Sequence, residues 1–158
     1  MEQFINSFNK TFIVENRYKL FLTGIKNTVI IALFAALIGI AIGLIVAIIR
    51  YSAKSNRKLF VFDFICKIYV SVIRGTPVVV QLLIMYYTIF VNMDNTVFIA
   101  IMTFGINSGA YVAEIARAGI ESIDRGQLEA GLSLGLNRSK TMFFIILPQA
   151  VKNILPAL

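Results

Sequence analysis

The feature that most constrains this chain is an uncharged block from Thr28 to Ile49, 22 residues bounded by Lys26 and Arg50. About 20 apolar residues, at a rise of ~1.5 Å each, cross the ~30 Å hydrocarbon core of a bilayer as a helix. A signal peptide is disfavoured because 27 residues precede the block and no small-residue cleavage site follows it. We therefore predict a permanent membrane span.

Small residues recur at every fourth position of this block, which puts them on one stripe of a helix. They are Ala35, Gly39, Gly43 and Ala47. Small side chains allow two membrane helices to approach closely. The stripe therefore predicts a packing face for a second helix.

The composition agrees with a lipid-embedded chain. It is 58% hydrophobic and 15% charged, whereas soluble domains are about half apolar and about a quarter charged. With no His and one Cys, the chain cannot form an internal disulfide, a His-containing triad or a Cys/His metal site. We predict no cofactor and no metal.

The formal charge of +7 raises the question of nucleic-acid binding. Such a footprint needs cations gathered on one exposed face. Here Lys and Arg lie between apolar blocks, as they do in membrane proteins whose cytoplasmic loops retain positive charge. We expect membrane lipid, and not nucleic acid, as a partner.

A second apolar region, 59–93, is too long for one straight span, because 35 residues of helix measure roughly 52 Å. Gly75, Thr76 and Pro77 predict a break, since Pro77 lacks an N–H and disfavours helical geometry at the residue before it. We interpret 59–91 as one span broken at this point.

Two separate spans are the alternative interpretation of 59–91. The first would have to cross the membrane in 15 residues while carrying Asp63 and Lys67, which is costly. These two residues are four apart, so we expect them to pair across one helical turn.

Two further apolar blocks follow. The uncharged block 95–113 predicts a third span, which ends just before Glu114. The run 141–158 predicts the start of a fourth span. Because the sequence stops inside this run, we expect the chain to lack its C-terminal part. The whole is interpreted as a single transmembrane domain, 1–158.

The distribution of positive charge predicts the orientation. Three spans place segments 50–58 and 114–140 on one side with eight Lys and Arg, against four in the segment 1–27. The first two segments are therefore predicted to be cytoplasmic and the N-terminus outside. Apolar residues at helical spacing predict a short helix on the outer surface within 1–27: Phe4, Ile5, Phe8 and Phe12.

Segment 114–140 is the only long polar stretch. Asp124 predicts a helix N-cap and Gly135 a C-cap. The helix between them, Arg125 to Leu134, is too short to persist alone in water. Because its leucines cannot all be buried in lipid, we expect a socket on another protein.

The spacing in this segment resembles the EAA-loop signature of ABC importer permeases. The matching positions are Glu129, Ala130, Gly131, Gly135, Ile145, Leu147 and Pro148, with Gly131 where the family usually has Ala. Two further groups resemble the subfamily that imports polar amino acids: Arg74-Gly75-Thr76-Pro77 followed by Gln81, and 107–111 leading to Glu114.

This resemblance implies an all-α, multi-pass type I ABC importer permease-like fold with about four spans in this chain. It implies that Glu129, Ala130, Gly131 and Gly135 form a cytoplasmic coupling helix on a cytosolic ATP-binding subunit. A second permease subunit, an extracytoplasmic solute-binding protein, an amino acid substrate and a bacterial cell membrane are implied as well. The sequence has no P-loop, so we expect no ATPase or other enzymatic activity in this chain.

Four polar residues are candidates for the substrate pathway, each with a structural alternative. They are Gln81, Asn107, Ser108 and Glu114. Glu114 can contact a cationic substrate group or pair with Arg117 or Lys140. The other three can line the pathway or join helices through hydrogen bonds.

Two functions of other classes compete with the importer. One is an ion-coupled amino acid carrier or channel using Glu114 as its ion site, which would need no partner ATPase. The other is a non-transporting membrane scaffold or sensor whose spans hold the loop 114–140 for a cytosolic partner.

Overall fold

The computed structural model describes residues 13–53 and 57–157 together with Met1, Gln3, Ser7 and Thr11. The described part is helical and contains no strand, which confirms the all-α fold class. The α-helices are α1 Tyr18–Ala53, α2 Phe60–Gly75, α3 Val78–Ile84, α4 Thr96–Glu121, α5 Arg125–Ser133, α6 Arg138–Thr141 and α7 Leu147–Ile154. The outer helix predicted from Phe4, Ile5, Phe8 and Phe12 lies outside the described residues.

Shorter helical turns complete the described chain. Turns of 3-10 type cover Val14–Asn16, Arg57–Leu59 and Leu155–Ala157. A π-helical turn, Met85–Ile89, extends α3, and another, Met142–Ile146, joins α6 to α7.

Helix α1 is longer than the predicted span 28–49. It has 36 residues, about 54 Å at ~1.5 Å per residue. Residues 18–27, expected to lie on the outer surface, continue the same helix because no proline interrupts them. Together with α4, α1 is one of two helices in the described part that are long and apolar enough to cross a membrane.

A sharp bend separates α2 from α3. Helix α2 ends at Gly75, and Thr76 (φ −116°, ψ 140°) and Pro77 (φ −60°, ψ 134°) are extended before α3 begins at Val78. The two helices, with their flanking turns, are bent by 107°. Counted together as one broken span, α2 and α3 supply a third membrane crossing.

Helix α4 continues to Glu121, eight residues past the predicted end of its span at 113. The charged residues that follow lie three and four apart, so they pair along the helix: Arg117 bonds both Glu114 and Glu121. The polar loop therefore begins at Ser122 and not at 114.

The contact between α1 and α4 depends on glycines in both helices. A Cβ at Gly43 would lie 2.5 Å from Val112 Cβ, and one at Gly39 would lie 2.6 Å from Ser108 Oγ. In the opposite direction, a Cβ at Gly109 would lie 2.9 Å from Ile42 Cγ2. All four small residues of the α1 stripe are buried, so this stripe is a helix-packing face.

Segment 141–157 folds back against the C-terminal half of α4. Ala150 is fully buried beside Ala47 and Ala116, and a Cβ at Gly119 would lie 2.2 Å from Ile154 Cγ1. The end of the described chain thus packs against the helix that leads into the polar loop.

The outward faces of α1, α2 and α3 are lined with large apolar side chains. Leu33, Leu37, Phe62, Ile65 and Leu83 are each at least half exposed. An apolar surface of this extent is typical of a chain that contacts lipid or other membrane helices.

Substitution at Gly43 tests the α1–α4 packing. We expect Gly43→Ala to lower the free energy of unfolding by about 1–3 kcal/mol, because the new methyl group meets Val112 and the backbone of α4. Thermal unfolding in detergent measures this. Gly24→Ala is the matched control, since nothing lies within 4 Å of a Cβ there. Equal melting temperatures for the two variants would contradict the packing role.

Candidate functional site

Both ends of the short helix α5 are capped by its own sequence. Asp124 Oδ1 accepts a hydrogen bond from the Gly126 N–H at 2.6 Å. At the other end Gly135 takes φ +80°, its N–H donates to Leu132 O, and the Leu136 N–H donates to Gly131 O. This pairing is a Schellman motif, which requires the left-handed conformation that glycine adopts readily.

The predicted coupling residues lie on two different sides of α5. Glu129 and Ala130 are exposed, as are Leu132 and Leu134, the latter 80% exposed. Gly131 is buried. The exposed surface of α5 and its C-cap therefore combines a carboxylate with apolar side chains, a composition suited to a protein partner.

Gly131 is buried because α5 packs against Thr141 at that point. A Cβ at residue 131 would lie 2.3 Å from Thr141 Cγ2 and 2.8 Å from Thr141 Oγ1. Thr141 is fully buried, and its hydroxyl donates to Asn137 O at 3.1 Å. The glycine that departs from the usual signature thus makes room for a threonine ten residues later.

Two of the candidate pathway residues bond to each other. Asn107 Nδ2 on α4 donates to Gln81 Oε1 on α3 at 3.1 Å. Gln81 Nε2 in turn donates to Ile73 O, Thr76 O and Thr76 Oγ1, at 2.8 to 3.1 Å. These amides join the helix break to α4.

Ser108, the third candidate, points in another direction. Its hydroxyl and Cβ occupy the space next to Gly39 in the α1–α4 contact. It lies beside Asn107 in sequence but packs against a different helix.

Glu114 is the centre of an arginine cluster. Its carboxylate accepts hydrogen bonds from Arg50 Nη1 on α1 at 3.0 Å and from Arg117 on its own helix. Arg74, at the end of α2, brings Nη1 within 4.0 Å of Glu114 Oε2 and places its guanidinium 5.3 Å from the ring centre of Tyr111. Pairing with Arg117 was one of the alternatives for Glu114; the pairing with Arg50 was missed.

Arg50 connects this cluster to the start of α2. Its Nε lies 3.8 Å from Asp63 Oδ1, and Asp63 pairs with Lys67 at 2.7 Å, the i,i+4 pair expected from the sequence. Arg50 and Asp63 are each only 14% exposed in their side chains. In the sequence, Arg50 stands out only as the residue that ends the first apolar block. This position indicates the end of a span, but it does not indicate which acidic residue Arg50 pairs with.

Two cavities border these residues. One of about 190 Å³ lies at the charged cluster and is lined by Arg50, Tyr51, Asp63, Lys67, Arg117, Ile120 and Glu121. The other, of about 250 Å³, lies between the helix break and α4, and its wall is almost entirely hydrocarbon. Among the described residues no group of His, Cys, Asp and Glu has a geometry that could hold a metal ion.

Comparison with known proteins defines the class. Residues 39–158 match the family described as the binding-protein-dependent transport system inner membrane component. The chain belongs to this family of membrane-embedded transport proteins.

Similar proteins include amino acid permeases. A glutamine transport system permease protein from Rickettsia felis is 41% identical over 150 residues, which are 93% of this chain and 63% of that protein. The arginine transport system permease protein of Bacillus subtilis is 39% identical over 140 residues, 87% of this chain and 62% of that protein. The chain thus spans less than two thirds of the length of these relatives.

A solved structure has the same fold. The crystal structure of an amino acid ABC transporter with histidines matches with a TM-score of 0.76 at 40% identity, covering 89% of this chain and 64% of that one. The match confirms the type I importer permease fold that the sequence motifs implied.

A double-mutant cycle tests the fit between Gly131 and Thr141. We expect Gly131→Ala to destabilise the chain by about 1–3 kcal/mol through overpacking. Thr141→Ala removes the two atoms nearest to the new methyl group, so the double variant should recover at least half of that loss. Thermal unfolding of the four proteins gives the coupling energy. Strictly additive effects would show that the two residues do not share this space.

Removal of Arg50 tests the ionic cluster. We expect Arg50→Met to lower the free energy of unfolding by about 1–2 kcal/mol, because Glu114 keeps Arg117 and Arg74 and Asp63 keeps Lys67. Arg50→Lys should fall between wild type and Arg50→Met. The exposed Arg57 is the control: Arg57→Met should change stability by less than about 0.5 kcal/mol. A loss at Arg57 equal to that at Arg50 would refute the cluster's role.

Proposed function

We propose that this chain is the membrane-spanning permease subunit of an ATP-driven, binding-protein-dependent amino acid importer in a bacterial cell membrane. The observation that carries the proposal is the capped helix α5, which presents Glu129 at an EAA-signature position on its exposed surface, with Leu132 also exposed on the helix and Leu134 exposed at the C-cap. Family membership and the amino acid permeases among its relatives support the same assignment.

Coupling is proposed to run through α5. A cytosolic ATP-binding subunit receives the exposed side of the helix, and Glu129 supplies the charged contact. On the opposite side Gly131 is packed against Thr141, so α5 follows the segment that leads into α7 and back to α4. Movement of the ATPase is then passed to the spans as a rigid-body displacement.

ATP hydrolysis belongs to the partner in this proposal, and the chain itself is not an enzyme. A second permease subunit completes the pathway, and an extracytoplasmic binding protein delivers the amino acid. Positive charge in 50–58 and 114–140 supports a cytoplasmic location for α5 and an outside location for the N-terminus.

The pathway is proposed to pass α4 where it faces α2 and α3, near Gln81, Asn107 and Glu114, while Ser108 packs on the α1 side of α4. The polar groups of Gln81, Asn107 and Glu114 are bonded within the protein. The engagement of Glu114 by Arg50 and Arg117 also disfavours the ion-coupled carrier, because a carboxylate held by two guanidinium groups is a poor site for a proton or a sodium ion.

Co-purification with an ATPase tests the proposed function. We expect the wild-type full-length protein, co-expressed with ATP-binding subunits of the same genome, to retain one of them in detergent and to show ATP-dependent amino acid uptake in vesicles. Glu129→Arg should reduce both at least tenfold, since it reverses a charge on the docking side.

Asp94→Arg is the matched control for this experiment. Asp94 is an exposed acidic residue in the turn before α4, at the opposite end of that helix from α5. The control should keep the ATPase and the uptake. Transport by Glu129→Arg at the wild-type rate would remove the coupling role, and uptake that needs an ion gradient but no ATP would favour the carrier.

A further inference from the structure

We propose that Gln81 is a positioning residue that holds the break between α2 and α3 in shape and ties it to α4, and that it makes no contact with the substrate. The proposal goes beyond the transport function, because it concerns the geometry of the break itself. Of the two tests given below, only the measurement of amino acid uptake rests on the proposed function.

The break leaves several main-chain carbonyl groups without helical donors, and Ile73 O and Thr76 O are two of them. In an uninterrupted helix Ile73 O would accept from the N–H of residue 77, but residue 77 is a proline and has none. Thr76 O would accept from the Val80 N–H, which instead donates to Pro77 O at 3.0 Å. Unpaired carbonyl groups are costly in a membrane interior, where no bulk water replaces the lost bond.

The side-chain amide of Gln81 replaces the missing donors of these two carbonyl groups. Gln81 Nε2 lies 2.8 Å from Ile73 O and 3.1 Å from Thr76 O. It also lies 2.8 Å from the Thr76 hydroxyl oxygen, which donates its own proton to Val72 O. One glutamine thus caps the end of α2 from the first turn of α3.

The other end of the same amide is bound by α4. Gln81 Oε1 accepts from Asn107 Nδ2 at 3.1 Å, so the bonded series runs from α2 through α3 to α4. Both helices pack on α4, and the angle of 107° at the break gains a further constraint from a hydrogen-bonded link. The amide supplies that constraint.

The neighbouring cavity supports a positioning role over a ligand role. Gln81 and Thr76 border the cavity of about 250 Å³, yet its wall is almost entirely hydrocarbon. The amide and hydroxyl groups are turned toward each other and toward the main chain. A side chain that bound a polar substrate would present those atoms to the cavity.

Distance measurements between spin labels test this inference without reference to transport. Labels at Ile65 on α2 and Leu83 on α3, both exposed, report the break; a label at the exposed Phe104 paired with Leu83 reports the α3–α4 spacing. Cys66, the one cysteine in the sequence described here, is replaced by Ala. The full-length protein is measured in lipid nanodiscs.

Three variants test separately the two hydrogen-bonded connections of Gln81, one to the end of α2 and the other to Asn107 on α4. We expect Gln81→Leu to broaden or shift both distances. Gln81→Glu keeps the size and the oxygen that Asn107 donates to, but an ionised carboxylate has no N–H or O–H to donate, so the α2–α3 distance should change. Asn107→Leu should change the α3–α4 distance and leave the α2–α3 distance unchanged. Gln149→Leu is the control. Gln149 is another glutamine whose side-chain amide donates to a main-chain carbonyl, that of Ile145, but it lies on α7, away from the break.

Uptake kinetics distinguish positioning from substrate contact. A positioning role predicts that Gln81→Leu lowers the maximal uptake rate about tenfold with KM nearly unchanged. Unaltered distances in Gln81→Leu and Gln81→Glu would overturn the proposal, and so would a large rise in KM with unaltered distances. Absence of uptake in every protein, wild type included, would count against the proposed function while the distances still decide the role of Gln81.

Discussion

The close approach of α1 and α4 is the constraint on which the rest of this structure depends. Gly39, Gly43 and Gly109 provide no side chain where the opposite helix must lie, and the neighbouring atoms would be within 3 Å of any added carbon. Lipid offers no hydrophobic force to drive two apolar helices together, so such a contact relies on packing and hydrogen bonds. Once it forms, α2 and α7 pack on the same pair: Val70 and Cys66 lie beside Val46 and Ala113, and Ala150 lies beside Ala47 and Ala116.

Where the C-terminal end of α1 meets α4, ion pairs and not small side chains hold the helices together. Arg50 leaves α1 and meets Glu114 on α4 and Asp63 on α2 within one cluster. These groups are mostly buried; the Arg50 guanidinium donates a hydrogen bond to Glu114 through Nη1 and faces Asp63 with Nε at 3.8 Å, an ion pair without a hydrogen bond. The same carboxylates hold Arg117 and Lys67, so no single ion pair carries the junction. The cluster thereby fixes where α2 starts, while Gln81 fixes how it ends.

Some of this architecture could be predicted from sequence and some could not, for identifiable reasons. The stripe from Ala35 to Ala47 predicted a packing face because its spacing of four is a property of the helix alone. The caps at Asp124 and Gly135 were equally local. The partner of Arg50 lies 64 residues away at Glu114, and no local pattern specifies which of several acids it meets. The end of α4 was missed because charges suggested a loop, although pairs at i,i+3 and i,i+4 stabilise a continuing helix.

The position of Gly131 shows how α5 can differ from the EAA-loop signature and keep its shape. A glycine inside a helix costs up to ~1 kcal/mol relative to alanine, which by itself would loosen α5. Here the missing methyl group is replaced by Thr141, whose side chain fills the space and whose hydroxyl bonds Asn137 O. The two residues therefore have to be considered as one unit. Because Gly131 lies against Thr141, α5 is packed directly on the end of α6, and α7, further along the same segment, packs on the helix that carries Glu114 and Asn107.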